Sequence, residues 1–377
     1  MDAFGGGAVS PAVLDAFGFE GVGVRTEPLA GGHIHRNFLV TCSAGRYVLQ
    51  QVNDKVFPDV EAVLCNVQRV VAHLKGRGRR CPELVETRSG ELSFPAADAS
   101  RWRAFRYLEG TVGRSTPAGP ADAFEAARAF GDYLVAMVDF PGPPLAKTID
   151  RFHDLDHRLD ALDAVAAADR VGRRAGVRHE LDRARGLGRD VMEAVRARSR
   201  CPSVRIVHND AKLSNVRFDA ETGLASCVID LDTTMAGQVA YDIGELVRTA
   251  ATHAPEDAAD EATVDFDLEL LDALSSGYFA AGPPLEWAEV DSMSVAGPHM
   301  AIENALRFLT DHLAGDRYFG LGRAGQNLDR CRTQLVLTEM MLETEAESRA
   351  CFARAARSTG AAWGGGPDDA GRAGKGS

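Results

Sequence analysis

Residues 206–218 read IVHNDAKLSNVRF, and residues 228–232 read VIDLD. Two short apolar pieces, 204–207 and 226–231, are strand-like and frame a polar loop. The loop carries Asp210 and Asn215, and the second piece leads to Asp230, so all three fall within 21 residues. A strand, a polar loop and a second strand can bring such hard oxygen donors to one point, and magnesium prefers a site of that kind. An isolated HxD triplet occurs freely in surface loops. Asn215 and an acid at the end of an apolar strand make the joint pattern much more specific.

Working outward, 37–41 and 47–52 read as a hairpin about the turn CSAGR. Just before it, Gly31 and Gly32 form a pair that could let backbone approach phosphates, although two glycines fall short of a full G-x-G-x-x-G signal. From Asp59, the apolar residues Val60, Val63, Leu64, Val67, Val71 and Leu74 repeat with helical period up to Gly76. Residues 102–108 read as a further strand. Pro117, Gly119 and Pro120 then open a helix with Phe124, Ala127, Phe130, Leu134 and Met137 on one face. Two or three helices are expected over 151–198, helices resume from Asp242, and Ile302, Leu306, Leu309 and Leu313 make another apolar face. The fold class is therefore α+β. A small antiparallel-sheet region with one main helix spans 1–110, a larger mostly helical region spans 111–359, and the apolar-poor tail 360–377 is expected to be disordered.

The chain has 377 residues, 45% of them hydrophobic and 25% charged, enough to bury a substantial core. Its 42 basic and 54 acidic residues leave a net charge of −12, which disfavours binding to a phosphate backbone or an anionic membrane. The expectation is no nucleic-acid or membrane partner and a monomer or weak dimer. Seven cysteines without a CxxC pair, and an N-terminus without a signal-like apolar run, are expected of a cytoplasmic protein with reduced thiols.

The pattern HxDxKxxN with a following strand-end aspartate resembles the catalytic and metal-binding segments of kinase-like phosphotransferases. The resemblance implies a bilobal protein-kinase-like fold, with ATP and Mg²⁺ as cofactors. It implies that Asp210 orients the attacking hydroxyl and takes its proton, that Lys212 reaches the transferring phosphoryl group, and that Asn215 and Asp230 hold the metal. His208 packs and orients the loop. Gly31, Gly32 and His33 would belong to the nucleotide-covering loop. One departure stands out: the strand 47–50 reads YVLQ where the kinase pattern V-A-I-K has lysine, and this chain offers Gln50 and Gln51 there, with Gln50 the candidate nucleotide contact. Without that cation the phosphates need another donor, and Glu61 on the following helix reads as a solvated helix-start acid.

More of the chain can be matched. GGHIHRNFLV (31–40), YVLQQVN (47–53), WRAFRYLEGT (102–111), VHNDAKLSNVRFD (207–219), CVIDLDTTMAGQVAYDIGE (227–245) and RFLTDHLAGDRYF (307–319) together resemble N-acetylhexosamine 1-kinases of the aminoglycoside-phosphotransferase-like superfamily, over roughly residues 28–335. Those enzymes also carry glutamine in the third strand. The resemblance implies transfer of the γ-phosphoryl group of ATP to the anomeric hydroxyl of N-acetylglucosamine or N-acetylgalactosamine. Arg307, Asp311 and Tyr318 offer groups for sugar hydroxyls, with Arg307 and Tyr318 the substrate candidates. The alternative is that Arg307 lies on a wet helix face and Tyr318 merely packs. Asp232, read as one pleat beyond Asp230, would assist the metal or hold a hydroxyl. His33 and Arg36 are further contact candidates, whereas His153, Asp154 and Asp169 read as structural. The rival acceptor is an antibiotic, an aminoglycoside or a nucleoside antibiotic. Its best support is the stretch 256–272 with eight acidic residues, which would attract a polycation; that stretch also reads as a solvated helix start.

Overall fold

The computed structural model describes residues 9–21, 23–29, 34–198 and 203–359. The expectations for Gly31, Gly32 and His33 and for the tail 360–377 lie outside the described residues.

Helix α1 (Pro11–Ala16) is capped by the Ser10 side chain and precedes β1 (Arg25–Pro28), β2 (Arg36–Cys42) and β3 (Gly45–Val52). The expected hairpin is β2–β3, in register Val40↔Tyr47 and Asn37↔Gln50, and it turns at Gly45, whose φ of 130° suits glycine. Asp59 caps α2 (Val60–Gly76) by accepting from the Ala62 N–H at 2.9 Å. Short β4 (Leu84–Val85) and β5 (Phe94–Pro95) precede β6 (Arg101–Arg106). The antiparallel sheet runs β1-β2-β3-β6-β4, with β5 also on β6. Strand alternation divides its residues. Phe38, Val40, Tyr47, Leu49, Trp102 and Ala104 cluster with Val13 and Phe17 of the N-terminal segment. The opposite parity carries Gln50 and Arg103, which sit directly across from one another on β3 and β6.

Beyond β6 the chain is mostly helical. It carries β7 (Thr111–Gly113), α3 (Pro120–Met137), α4 (Leu155–Ala168), α5 (Arg178–Arg198), β8 (Arg205–Val207), β9 (Val216–Asp219), β10 (Ala225–Val228) and β11 (Met235–Gly237). There follow α6 (Val239–Ala250), α7 (Leu268–Ala280), α8 (Trp287–Ser292), α9 (Ala296–Ala314), α10 (Gln326–Glu343) and α11 (Glu345–Ser358). Strands β10, β9 and β7 form one small sheet, and β11 and β8 pair as another. The face expected on α9 is wholly buried: Ile302, Leu306, Leu309 and Leu313 lie in one core with Leu162 of α4 and Leu181 of α5. Among the described residues no helix is long and apolar enough to cross a membrane. The six described cysteines are free; Cys81, Cys227, Cys331 and Cys351 are buried, Cys65 is exposed, and Cys201 lies outside the described residues.

One expectation is corrected. The piece 226–231 is not one strand: β10 stops at Val228, Asp230 takes a left-handed φ of 63°, and Leu231–Thr233 form a 3₁₀ turn. The bond from the Ile229 N–H to the Asn215 carbonyl, 2.8 Å, pulls the chain onto the preceding loop, so Asp230 and Asp232 are not alternate residues of one strand face. The acids of 256–272 are largely committed within the fold. Asp260 and Asp267 cap helical turns, Glu256 meets Arg248, Glu261 meets Arg183, and Asp265 holds His253.

Candidate active site

The segment between β8 and β9 is held from below by α6. Both carboxylate oxygens of buried Asp242 accept backbone N–H groups, His208 at 2.9 Å and Asn209 at 2.7 Å. Desolvation holds the Asp242 carboxyl above its ordinary value, so this support is an acid placed at some cost. Asn209 is left-handed, φ 61°, and its side-chain amide donates to the carbonyls of Thr233 (3.0 Å) and Met235 (3.3 Å). Gly237 lies against it: a Cβ there would fall 2.4 Å from Asn209 Oδ1. His208 is fully buried, its Nε2 3.0 Å from the Ile229 carbonyl and its ring edge-on to Phe130 and Tyr133. It packs and orients the loop.

That frame presents Asp210. Lys212 Nζ lies 2.8 Å from Asp210 Oδ2, and Asn215 Nδ2 donates to the same oxygen at 3.0 Å and to the Asp210 carbonyl at 2.8 Å. Burial raises the Asp210 carboxyl, but the charge and hydrogen bond of Lys212 outweigh it and hold the group below its ordinary value. Lys212 in turn is held above its own, because Asp210 and Asp230 overcome its desolvation. Both partners of the Asn215 amide are acceptors, so the amino group must face Asp210 and Oδ1 points elsewhere. Among the described residues no donor meets that Oδ1, nor the carboxylate of Asp230. Asp230 is exposed as a residue, although protein surrounds its carboxyl. Desolvation, and then the charge of Asp232, hold its carboxyl above its ordinary value. Asp230 belongs with His35 and Asp232 to a cluster whose possible ligand atoms all lie within 4.8 Å of one another, and its unpartnered carboxylate, which would gain from a nearby positive charge, suits a hard divalent cation.

Gln50 is committed to its neighbours. Its Oε1 accepts from Arg103 Nε at 2.9 Å and its Nε2 donates to Asn37 Oδ1 at 2.8 Å. Arg103, 1% exposed, grips Asp232 with both terminal nitrogens, Nη1 to Oδ1 at 2.7 Å and Nη2 to Oδ2 at 2.6 Å. His35 Nε2 is 2.8 Å from the same Oδ2. The Asn53 N–H donates to His35 Nδ1 at 3.2 Å, so Nε2 carries the proton given to Asp232. The Asp232 oxygens thus accept from Arg103 and His35 of the N-terminal region, while the carboxylate also lies in the cluster with Asp230. Arg36 donates to Gln51 at 3.1 Å. Glu61 pairs on the surface with Arg101 at 2.6 Å, as befits a helix-start acid.

Arg307 and Tyr318 lie together. The guanidinium carbon of Arg307 is 5.9 Å from the Tyr318 ring centre, 5.6 Å from Phe152 and 5.3 Å from Phe319. Asp311, in contrast, accepts the backbone N–H groups of Arg317, Tyr318 and Phe319 at 2.7–3.0 Å and the Asn327 amide at 2.9 Å. It holds the loop that carries Tyr318. A chain of contacts joins this cluster to α6: Arg307 donates to Asn304 at 3.3 Å, and Asn304 to Glu245 at 2.9 Å. His153 bridges Glu303 and the Asn209 carbonyl, 2.9 Å each, while Asp154 caps α4 and Asp169 closes it. The sequence reading gave no role to Arg103, His35 or Asp242. The available signal was Arg103 between Trp102 and Ala104 in the strand RWRAFR, on the parity of Gln50.

The same architecture recurs in solved structures. An ethanolamine kinase of Plasmodium vivax superposes with a TM-score of 0.54 at 12% identity, over 90% of this chain and 85% of that one. A spectinomycin phosphotransferase, in complex with ADP and spectinomycin, gives 0.54 at 13%, covering 86% and 92%. An amicoumacin kinase in complex with AMP-PNP, Ca²⁺ and its antibiotic gives 0.52 at 13%, covering 85% and 88%. At such identities the likeness establishes a kinase-like fold. The sequence itself goes further, for residues 25–281, from β1 to the end of α7, match the model of one family, and the chain belongs to that phosphotransferase enzyme family.

Proposed function

We propose that this phosphotransferase uses ATP and Mg²⁺ to phosphorylate the anomeric hydroxyl of an N-acetylhexosamine. The observation that carries the transfer chemistry is the Asp210 carboxylate held by Lys212 and Asn215, with the unpartnered carboxylate of Asp230 near enough for the charges of Lys212 and Asp210 to act on it. In this reading Asn215 Oδ1 and Asp230 hold the cation, which supplies charge neutralisation to the triphosphate oxygens when bound. Asp210 accepts the hydrogen bond of the acceptor hydroxyl, orients it and takes its proton late. Lys212 offsets charge on the transferring group, and His208, Asn209 and Asp242 keep the loop from moving. Such catalysis is positioning and electrostatics rather than covalent chemistry. The neighbours solved with ADP or with AMP-PNP and Ca²⁺ support a nucleotide and divalent ion as partners.

For the acceptor, Arg307 and Tyr318 supply a planar donor and a ring 5.9 Å apart, which would suit a sugar and its acetamido group. The polycation alternative loses its best sequence support, because the acids of 256–272 are committed to caps and ion pairs. An ADP-release panel tests the reading. N-acetylglucosamine or N-acetylgalactosamine should exceed kanamycin, spectinomycin and ethanolamine in kcat/KM by at least about 10²-fold, equivalent to about 3 kcal/mol of transition-state discrimination. Preference for an antibiotic or amino alcohol would replace the sugar assignment while leaving the phosphotransferase intact.

A further inference from the structure

The kinase pattern places a lysine on the third strand and pairs it with a carboxylate on the next helix. Here that strand position is Gln50, and the helix acid Glu61 is engaged at the surface by Arg101. A buried cation nevertheless lies immediately beside Gln50, one strand over. Arg103 is 1% exposed, and its Nε, Nη1 and Nη2 each meet an acceptor at 2.9, 2.7 and 2.6 Å. Asn37 orients Gln50, Gln50 orients the guanidinium, and the guanidinium meets Asp232 in the parallel two-bond geometry that best fixes a carboxylate. His35 closes the ring from the other side at 2.8 Å. Asn37, Gln50, Arg103 and His35 belong to the N-terminal region, and Asp232 to the turn two residues beyond Asp230. That turn also packs against α2.

We propose that Arg103 is a positioning residue: through Asp232 it fixes the turn that presents Asp230, and so couples the seating of the N-terminal sheet to metal-dependent nucleotide binding. It performs from β6 the linking task that a lysine and a helix carboxylate share in the kinase pattern. A buried, doubly bonded ion pair has one well-defined geometry, and breaking it leaves an uncompensated charge, so the turn has little freedom while the pair is intact. The inference rests on the reading of Asp230 as a metal-holding residue.

The test is calorimetric titration of the full chain with ADP, with and without Mg²⁺, alongside thermal melting. In the parent protein Mg²⁺ should strengthen ADP binding. Arg103→Gln should lose at least about tenfold of that enhancement, with metal-free ADP affinity and the acceptor KM nearly unchanged, and Arg103→Lys should restore part of it. Should Arg103→Gln fail to fold, Asp232→Asn keeps the shape of the turn while removing its charge, and the same loss is expected there. An intact magnesium enhancement in a cooperatively melting Arg103→Gln or Asp232→Asn protein overturns the inference. An intact enhancement in Asp230→Asn overturns the metal reading beneath it instead.

Discussion

Asp242→Ala should loosen the catalytic loop without touching any reacting group. Asp242 is 2% exposed and satisfies the backbone N–H groups of His208 and Asn209 at 2.9 and 2.7 Å, two bonds to one charged acceptor. Bonds to charged groups contribute about 1.5–3 kcal/mol each, and their removal strands two buried donors. Against this stands the cost of burying the acid, visible in its raised pKa. The net loss is expected at about 2–4 kcal/mol, a large share of the roughly 5–15 kcal/mol by which folded domains are stable. For a chain of this size that is a fall of about 3–5 °C in melting temperature. Because the loop carries Asp210, kcat should fall about 10²-fold, the effect of displacing a reacting group by about 1 Å. Asp242→Asn, which keeps one acceptor, should fall between the two. Scanning calorimetry and steady-state kinetics read both quantities. A variant that melts within 1 °C of the parent with unchanged kcat would refute the claim that α6 holds the loop.

Gly237→Ala should cost about 1–3 kcal/mol by overpacking, since the new methyl lies 2.4 Å from Asn209 Oδ1 and 2.7 Å from a Val207 methyl; unaltered urea denaturation would count against it. Gln50→Lys, which restores the kinase-pattern residue, should not improve ATP binding. It sets a second cation beside Arg103, and at an effective dielectric near 20 the repulsion is about 4 kcal/mol at 4 Å, so a lower melting temperature is expected and a gain in nucleotide affinity would contradict the network. Glu303 supplies a pH prediction. Burial pushes its carboxyl up, but His153, Arg307 and Arg158 outweigh that and bring it from 4.5 down to about 2. A depressed acid contributes stability above its unfolded pKa and loses it as pH falls through the folded one. About 3 kcal/mol should therefore fade between pH 4.5 and 2, and Glu303→Gln should flatten that limb of the stability profile.

Periodicity and end signals made the local elements legible. The hairpin showed in its alternation and turn, α2 in its stripe and Asp59 cap, and the loop joining β8 to β9 in its polar run from His208 to Asn215. What escaped depends on distant partners. Arg103 and Asp232 are 129 residues apart, and nothing in either neighbourhood points to the other. Asp311 carries the same chemistry whether it meets a sugar or three backbone N–H groups, and only the fold of the following loop decides. The reading of 226–231 as one strand failed because apolar runs do not record the left-handed residue at Asp230. Strands as short as β7 and β11 carry too few residues for any period to be seen.

The most direct measurement is phosphorus NMR of the product formed from Mg·ATP and N-acetylglucosamine by the parent protein and by Asp210→Asn. The parent should yield a sugar phosphate whose signal is coupled to the C1 proton, and the variant should accumulate it at least about 10²-fold more slowly while still binding ADP. Equal rates in the two proteins would contradict the role given to Asp210, and with it the active site drawn around that residue.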